Sequence, residues 1–160
     1  MNKMLDKKPV RRVQDFITNF DQKLKIIVLN NTARTAIDAA NSLKCEVGAI
    51  VKSLLFKVDD SFLICLVAGD KKCSLNKMKK ILEKKNICMA DPDEVKLNTG
   101  FSIGGVSPIA HIKKLNVLID KSLIRFANIF AAAGHPNCVF KINFNQLVKI
   151  TNASKEDISE

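Results

Sequence analysis

The 160-residue chain contains no tryptophan and no tyrosine. Its nine phenylalanines mostly fall at core periodicity, so the sequence lacks the exposed aromatic platforms on which many single-strand nucleic-acid binders stack bases. Acidic residues are scarce. Sixteen Asp and Glu face 26 Lys and Arg, which leaves a formal charge of +10. That excess favours a polyanionic partner and says nothing about fold. No apolar run approaches the roughly 20 residues that a membrane-spanning helix needs. The longest, from Phe62 to Gly69, is broken by Asp70. Met1 to Lys8 carries lysines, but no apolar stretch follows before Arg11 and Arg12, so no secretory signal is expected there. The five cysteines, Cys45, Cys65, Cys73, Cys88 and Cys138, form no CxxC and no Cys/His cluster. Their odd number and wide spacing fit buried thiols of a reduced, cytoplasmic protein better than disulfides or a zinc site. No metal and no cofactor is expected.

What is present is an ordinary globular composition, 47% apolar and 26% charged. The length suits a single domain over 1–160 with its core at about 10–150. Apolar spacing predicts a first helix from Pro9 to Phe20, with Val10, Val13, Phe16, Ile17 and Phe20 on one side. Lys25 to Leu29 reads as a strand. Thr32 is placed as the cap of an alanine-rich helix from Ala33 to Leu43, with Ala36, Ile37, Ala40 and Leu43 inward. Val47–Val58 and Ser61–Ala68 form a hairpin around Asp59-Asp60. Ser74 caps a helix over 75–85 whose stripe is Leu75, Met78, Ile81 and Leu82. Asp91, Pro92 and Glu94 mark another start, and Gly100 its end. Strands are expected at 86–90, 116–119, 129–133 and 138–142, with a turn at 134–137. Asn143 caps a last helix, and the polar tail from Thr151 should fray. The mixture predicts an α+β fold: a mixed sheet or partly closed barrel with helices packed outside.

Four features stand out chemically. Lys52 interrupts an otherwise apolar strand, AIVKSLLF, as an edge residue or as a cation aimed into a pocket. Gly104-Gly105-Val106-Ser107-Pro108 is a loop able to present backbone N–H groups to an oxyanion, though it matches neither nucleotide-binding glycine motif. His111 and His135 have no partners at metal-ligand spacing. Residues 71–85 hold seven lysines and one glutamate, either a solvated helix face or a ridge for phosphates.

In order along the chain, IVKSLLF (50–56), LVAGD (66–70), ADPDEV (90–95), NTGFSIGGVSPIAH (98–111), LID (118–120) and AAAGHPNCVFKI (131–142) resemble the YbaK / prolyl-tRNA editing-domain family. The resemblance implies a freestanding aminoacyl-tRNA deacylase that hydrolyses the ester of a mischarged tRNA. It implies that Lys52 contacts the substrate near the ester, and that Gly104, Gly105, Val106, Ser107 and Pro108 hold the aminoacyl carbonyl and ribose. His111, Ala133 and Gly134 would bind substrate nearby. In that family the substrate's own 2′-hydroxyl is thought to assist. Ala110 stands where many relatives have glycine. The expected partner is the acceptor end of tRNA, with Lys77, Lys79, Lys80, Lys84 and Lys85 on its phosphates, and an aminoacyl-tRNA synthetase as a further partner. No membrane contact is expected. The alternative is a non-catalytic tRNA- or synthetase-binding module of the same fold.

Overall fold

The structure is a computed structural model that describes residues 3–31 and 33–160. Among the described residues there are five α-helices: α1 (Lys8–Phe20), α2 (Ala36–Leu43), α3 (Leu75–Leu82), α4 (Pro92–Thr99) and α5 (Phe144–Thr151). The strands are β1 (Ile26–Val28), β2 (Ile50–Val58), β3 (Ser61–Ala68), β4 (Ile87–Met89), β5 (Asn116–Asp120), β6 (Ile129–His135), β7 (Cys138–Ile142) and β8 (Ser154–Glu156). They make one mixed sheet in the order β1-β7-β6-β2-β3-β5-β8, with β4 also paired to β2. The α+β expectation with a mixed, curled sheet is met.

β2 and β3 read as continuous apolar runs because both sheet faces are covered. Val51, Leu55, Ile64, Leu66 and Ala68 join a core with α1 and α5, while Phe56, Val58, Leu63, Cys65 and Val67 point the other way, toward Met78 of α3. Ile50 meets Ala39 and Ala40 of α2 in a third cluster. The hairpin turns through Asp59 at φ 52°, a left-handed conformation that Asp tolerates better than most residues.

Capping sets the helix ends. Reciprocal capping boxes join Asp91 to Glu94 and Asn143 to Gln146. The position of Thr32 lies outside the described residues. The helix predicted from Ala33 starts at Ala36, where Thr35 accepts the Asp38 N–H. α3 stops at Leu82 because Glu83 turns left-handed at φ 54°. Several residues expected inside are exposed: Phe16 and Phe20 on α1, Ile37 on α2, and Leu75 and Ile81 on α3. Each of these helices meets the sheet along a narrow line; on α1 only Val10, Val13 and Ile17 are buried. The thiols also divide: Cys65 and Cys138 are buried, Cys45 and Cys73 half-buried, and Cys88 exposed.

The tail is not frayed. β8 pairs in parallel with β5, and Ile158 is fully buried. Asp120, at the end of β5, anchors it. Its carboxylate accepts from Ile158 N–H (2.9 Å) and from the Ser159 hydroxyl (2.8 Å), as well as from the Ser122 N–H and hydroxyl. Burial works to raise the Asp120 pKa, but these donors outweigh it and hold the carboxyl below its ordinary value. A depressed folded-state pKa contributes stability above the unfolded value, and that stability is lost as pH falls through the folded one. Asp120→Ala should cost about 3 kcal/mol in urea unfolding at neutral pH, since several buried donors lose their acceptor. The gap between variant and wild type should narrow as the medium is acidified below the ordinary Asp range.

Candidate active site

The site follows from how the edges of β2 are shared. One edge pairs with β3 from Val51 to Val58. On the other, β6 runs parallel only at Ile50 and Val51, and β4 runs antiparallel only at Phe56 to Val58. Ala90 N–H adds one bond to Leu55 O (3.0 Å). Among the described residues, Lys52, Ser53 and Leu54 therefore have no strand on that edge. A cavity of about 390 Å³ opens beside them. Ala36 and Ala39 of α2, Phe130 and Ala132 of β6, Met89, Ala90 and Val95 line it, and so do Ile103, Gly104 and Val106 from the glycine loop. Its walls are mostly apolar, with Arg34, Thr35, Lys52 and Ser53 as the polar side chains. Ser53 Oγ is buried without a hydrogen-bond partner.

Lys52 is half-buried, and its ammonium donates to the Lys71 carbonyl in the loop after β3. Burial pushes its pKa down; Cys73 and Asp70 pull it back up, and Lys72 adds to the fall. Asp70 itself is gripped by both guanidinium arms of Arg125, at 2.8 and 3.0 Å. The strand lysine and the glycine loop thus line one cavity.

The rest of the loop is arranged differently from expectation. Gly104 takes φ +96°, whereas Gly105 is needed for close approach: a Cβ there would lie 2.9 Å from the His135 backbone. The Gly105 N–H is already spent on Ser102 O (3.0 Å), so it is not free for a ligand. The N–H groups of Gly104 and Val106 have no partner among the described residues. Ser107 and Pro108 are buried behind the loop, Ser107 completely, and Ser107 Oγ receives only a long contact from Ile109 N–H (3.4 Å). His111 donates Nε2–H to the Ser107 carbonyl (2.7 Å) and stands edge-on to Phe101. Burial lowers its pKa first, against the Ser107 contact and together with the Arg12 charge. His111 supports the loop from behind and does not line the cavity. Ala133 is also a correction. Strand alternation sends Ala131 and Ala133 into the core and turns Phe130 and Ala132 to the cavity. Gly134, at φ +90°, is wedged against the Pro9 backbone. Ala110 adopts φ +61°, which explains why glycine suits that position.

The lysine ridge is partly committed. Lys77 bonds Asp157 (3.0 Å) and Ser159 O (2.6 Å), and Lys84 pairs with Asp59 (3.5 Å). Lys79, Lys80, Lys84 and Lys85, with Glu83, line a separate shallow depression. Among the described residues, no group of three or more His, Cys, Asp or Glu could hold a metal ion, and no helix is long and apolar enough to cross a membrane.

Sequence reasoning missed Arg34, Ser53 and Ala132. Period-two alternation along 129–135 was the signal that would have chosen Ala132 over Ala133. Nothing in the local pattern distinguishes Ser53, since the lack of a partner for its hydroxyl depends on what packs over it.

The aminoacyl-tRNA editing domain model matches residues 30–150, and the chain belongs to that family. It is 30% identical over 125 residues to a proline–tRNA ligase of Thermosipho melanesiensis, covering 78% of this chain but 22% of the ligase. The chain therefore spans about a fifth of the ligase's length. It is 28% identical over 139 residues to the uncharacterized protein YwhH of Bacillus subtilis, covering 86% of this chain and 88% of YwhH. The crystal structure of a protein proposed as a trans-editing enzyme for prolyl tRNA synthetase superposes with a TM-score of 0.90 at 34% identity, covering 96% of this chain and 98% of that one.

Gly105→Ala should cost about 2 kcal/mol in chemical denaturation, because its methyl group meets backbone that has no room to yield. A melt unchanged from wild type would mean that the loop can lift away from His135.

Proposed function

We propose that the chain is a trans-editing deacylase that hydrolyses the ester between an amino acid and the 3′-terminal adenosine of a mischarged tRNA. The observation that carries this reading is the single cavity lined by Lys52 and by Gly104 and Val106, whose N–H groups have no partner among the described residues. An aminoacyl ester is already activated, so the protein's task is to position it and to stabilise charge. Water adds to the acyl carbon, and the carbonyl oxygen becomes an oxyanion. Two backbone donors on a rigid loop suit that oxyanion. Lys52, fixed by the Lys71 carbonyl, supplies positive potential beside it. The C–O ester bond then breaks, the ribose oxygen takes a proton, and free amino acid and tRNA leave.

Lys52 and Arg34 are the charged side chains of the lining, and no carboxylate or imidazole stands among them. The attacking water is therefore oriented by the substrate's ribose hydroxyl and by backbone groups, with no protein general base. The apolar walls take the amino-acid side chain. Ser107 is too deeply buried to serve as a covalent nucleophile in this arrangement.

The test is turnover of a panel of mischarged tRNAs by the purified chain. Wild type should release free amino acid from at least one of them. Lys52→Ala should slow that release by about tenfold or more, equivalent to about 1.4 kcal/mol of transition-state stabilisation, with the fold intact. Binding of tRNA without turnover of any ester would instead favour the non-catalytic module.

The free lysines of the ridge are placed here on tRNA phosphates remote from the ester. Reversing Lys79 and Lys85 to Glu should weaken tRNA binding and flatten its dependence on salt, by about one unit of log–log slope per lost contact. Hydrolysis of a short aminoacyl-nucleotide ester should stay at the wild-type rate. Equal losses on both substrates would show damage to the cavity instead.

A further inference from the structure

Four segments distant in sequence converge beside Arg34 and Gly104, which line one side of the cavity. The start of α1 packs on Gly134, whose absent Cβ would lie 2.8 Å from the Pro9 carbonyl. The loop before α2 is tied to the turn after β6 by Ala33 N–H to Pro136 O (3.0 Å) and Leu29 N–H to Asn137 O (2.6 Å). Gly105 rests on the His135 backbone. Arg34 and Pro136 flank Gly104, each with a carbon 3.6 Å from where its Cβ would stand.

This packing gathers Lys7, Arg34 and His135. Lys7 and Arg34 are exposed, and among the described residues neither side chain has a hydrogen-bond or ion-pair partner. Both charges act on His135: burial lowers its pKa first, then Lys7, then Arg34. No carboxylate contributes there. His135 Nδ1 accepts the Asn137 N–H (3.0 Å), so the ring proton sits on Nε2 as an available donor. Unpaired cations held near one another repel, and an anion between them turns that cost into attraction. Arg34 also lines the cavity, which places this positive field at its edge.

We propose that Lys7, Arg34 and His135 form a phosphate subsite for the 5′-phosphate of the terminal adenosine. The inference rests on the deacylase reading, because that reading fixes the direction of the ligand. With the amino acid inside and the ester between Lys52 and the glycine loop, the ribose lies at the mouth. Its 5′-phosphate then emerges one sugar's breadth further out, where these three donors are. A planar guanidinium matches two phosphate oxygens at once, and Lys7 contributes a point charge. The lysine ridge does not fill this role, since it lines a separate depression.

Binding of adenosine 5′-monophosphate and of adenosine, followed by NMR titration, tests the subsite without requiring turnover. The phosphate should tighten binding by about tenfold, and the Lys7→Ala/Arg34→Ala double variant should abolish that difference. Arg34→Lys should restore part of it in the Lys7-containing protein, and the largest shifts should fall on Gly104, His135 and Asn137. Equal affinity for the two ligands in wild type would overturn the subsite, as would a phosphate advantage that survives in the double variant. The mischarged-tRNA panel reads the parent proposal separately. Turnover with no phosphate advantage removes the subsite alone. A phosphate advantage lost in the double variant, without turnover of any ester, keeps a nucleotide-phosphate site and removes the deacylase.

Discussion

The outer edge of β2 controls the architecture of the site. A strand buried on both faces is fixed by its apolar side chains, but its backbone still needs hydrogen-bond partners. β3 supplies them along one edge. On the other, β6 arrives from one end and β4 from the other, and they do not meet. Lys52, Ser53 and Leu54 fall in the interval. Closing it with another strand would satisfy the backbone and erase the cavity. Leaving it open forgoes those backbone hydrogen bonds. Rigid walls on either side allow the opening to persist: α2 packs over Ile50, and Val51 and Leu55 are locked into the main core. A polar gap in a close-packed sheet is thus a binding surface held by its surroundings.

The same logic explains the glycine loop. Its conformation is set from behind by Ser107, Pro108, Ile109 and His111, none of which lines the cavity. Arg12 strengthens that support, bonding Ala110 O (2.9 Å) and Thr99 O (3.2 Å) while stacking 4.6 Å above the Phe101 ring. Gly105 then lets the loop lie flat on the end of β6. Residues outside the cavity lining therefore determine which N–H groups remain free. The buried side chains set the shape of the loop, and its backbone is what the cavity meets.

Much of the fold was legible because its signals are local. Asp91-Pro92-Asp93-Glu94 specifies a helix start by hydrogen bonds within four residues, and the β2–β3 hairpin is declared by two apolar runs around Asp59-Asp60. Helix faces were less legible. Phe16, Phe20 and Ile37 have the right spacing for burial, yet each helix offers only a narrow line of contact to the sheet. The tail was misread because its anchor, Asp120, lies far away in sequence, and a polar segment such as SKEDIS gives no hint of a distant acceptor. The candidate site divides in the same way. Lys52 and the loop were visible as anomalies against their neighbours, a charge in an apolar strand and paired glycines before proline. The split within the loop, with Gly104 and Val106 toward the cavity and Ser107 away, depends on tertiary packing and leaves no mark on the sequence.

Charge placement adds a last constraint. A net charge of +10 could be spread evenly, giving only a general attraction to polyanions. The structure distributes it unevenly in kind. Lys77 and Lys84 are tied to carboxylates, and exposed pairs of this sort contribute little to stability, though they do lower the local potential. Lys7 and Arg34 have no such neutralisation, and their charges disfavour protonation of His135. Bulk charge brings a nucleic acid to the surface, and it falls off within about 8 Å at physiological salt. Orientation must then come from uncompensated cations at fixed positions near the cavity. In the proposed subsite Lys7 and Arg34 would set which end of a long polyanion enters, and the remaining charge would serve encounter.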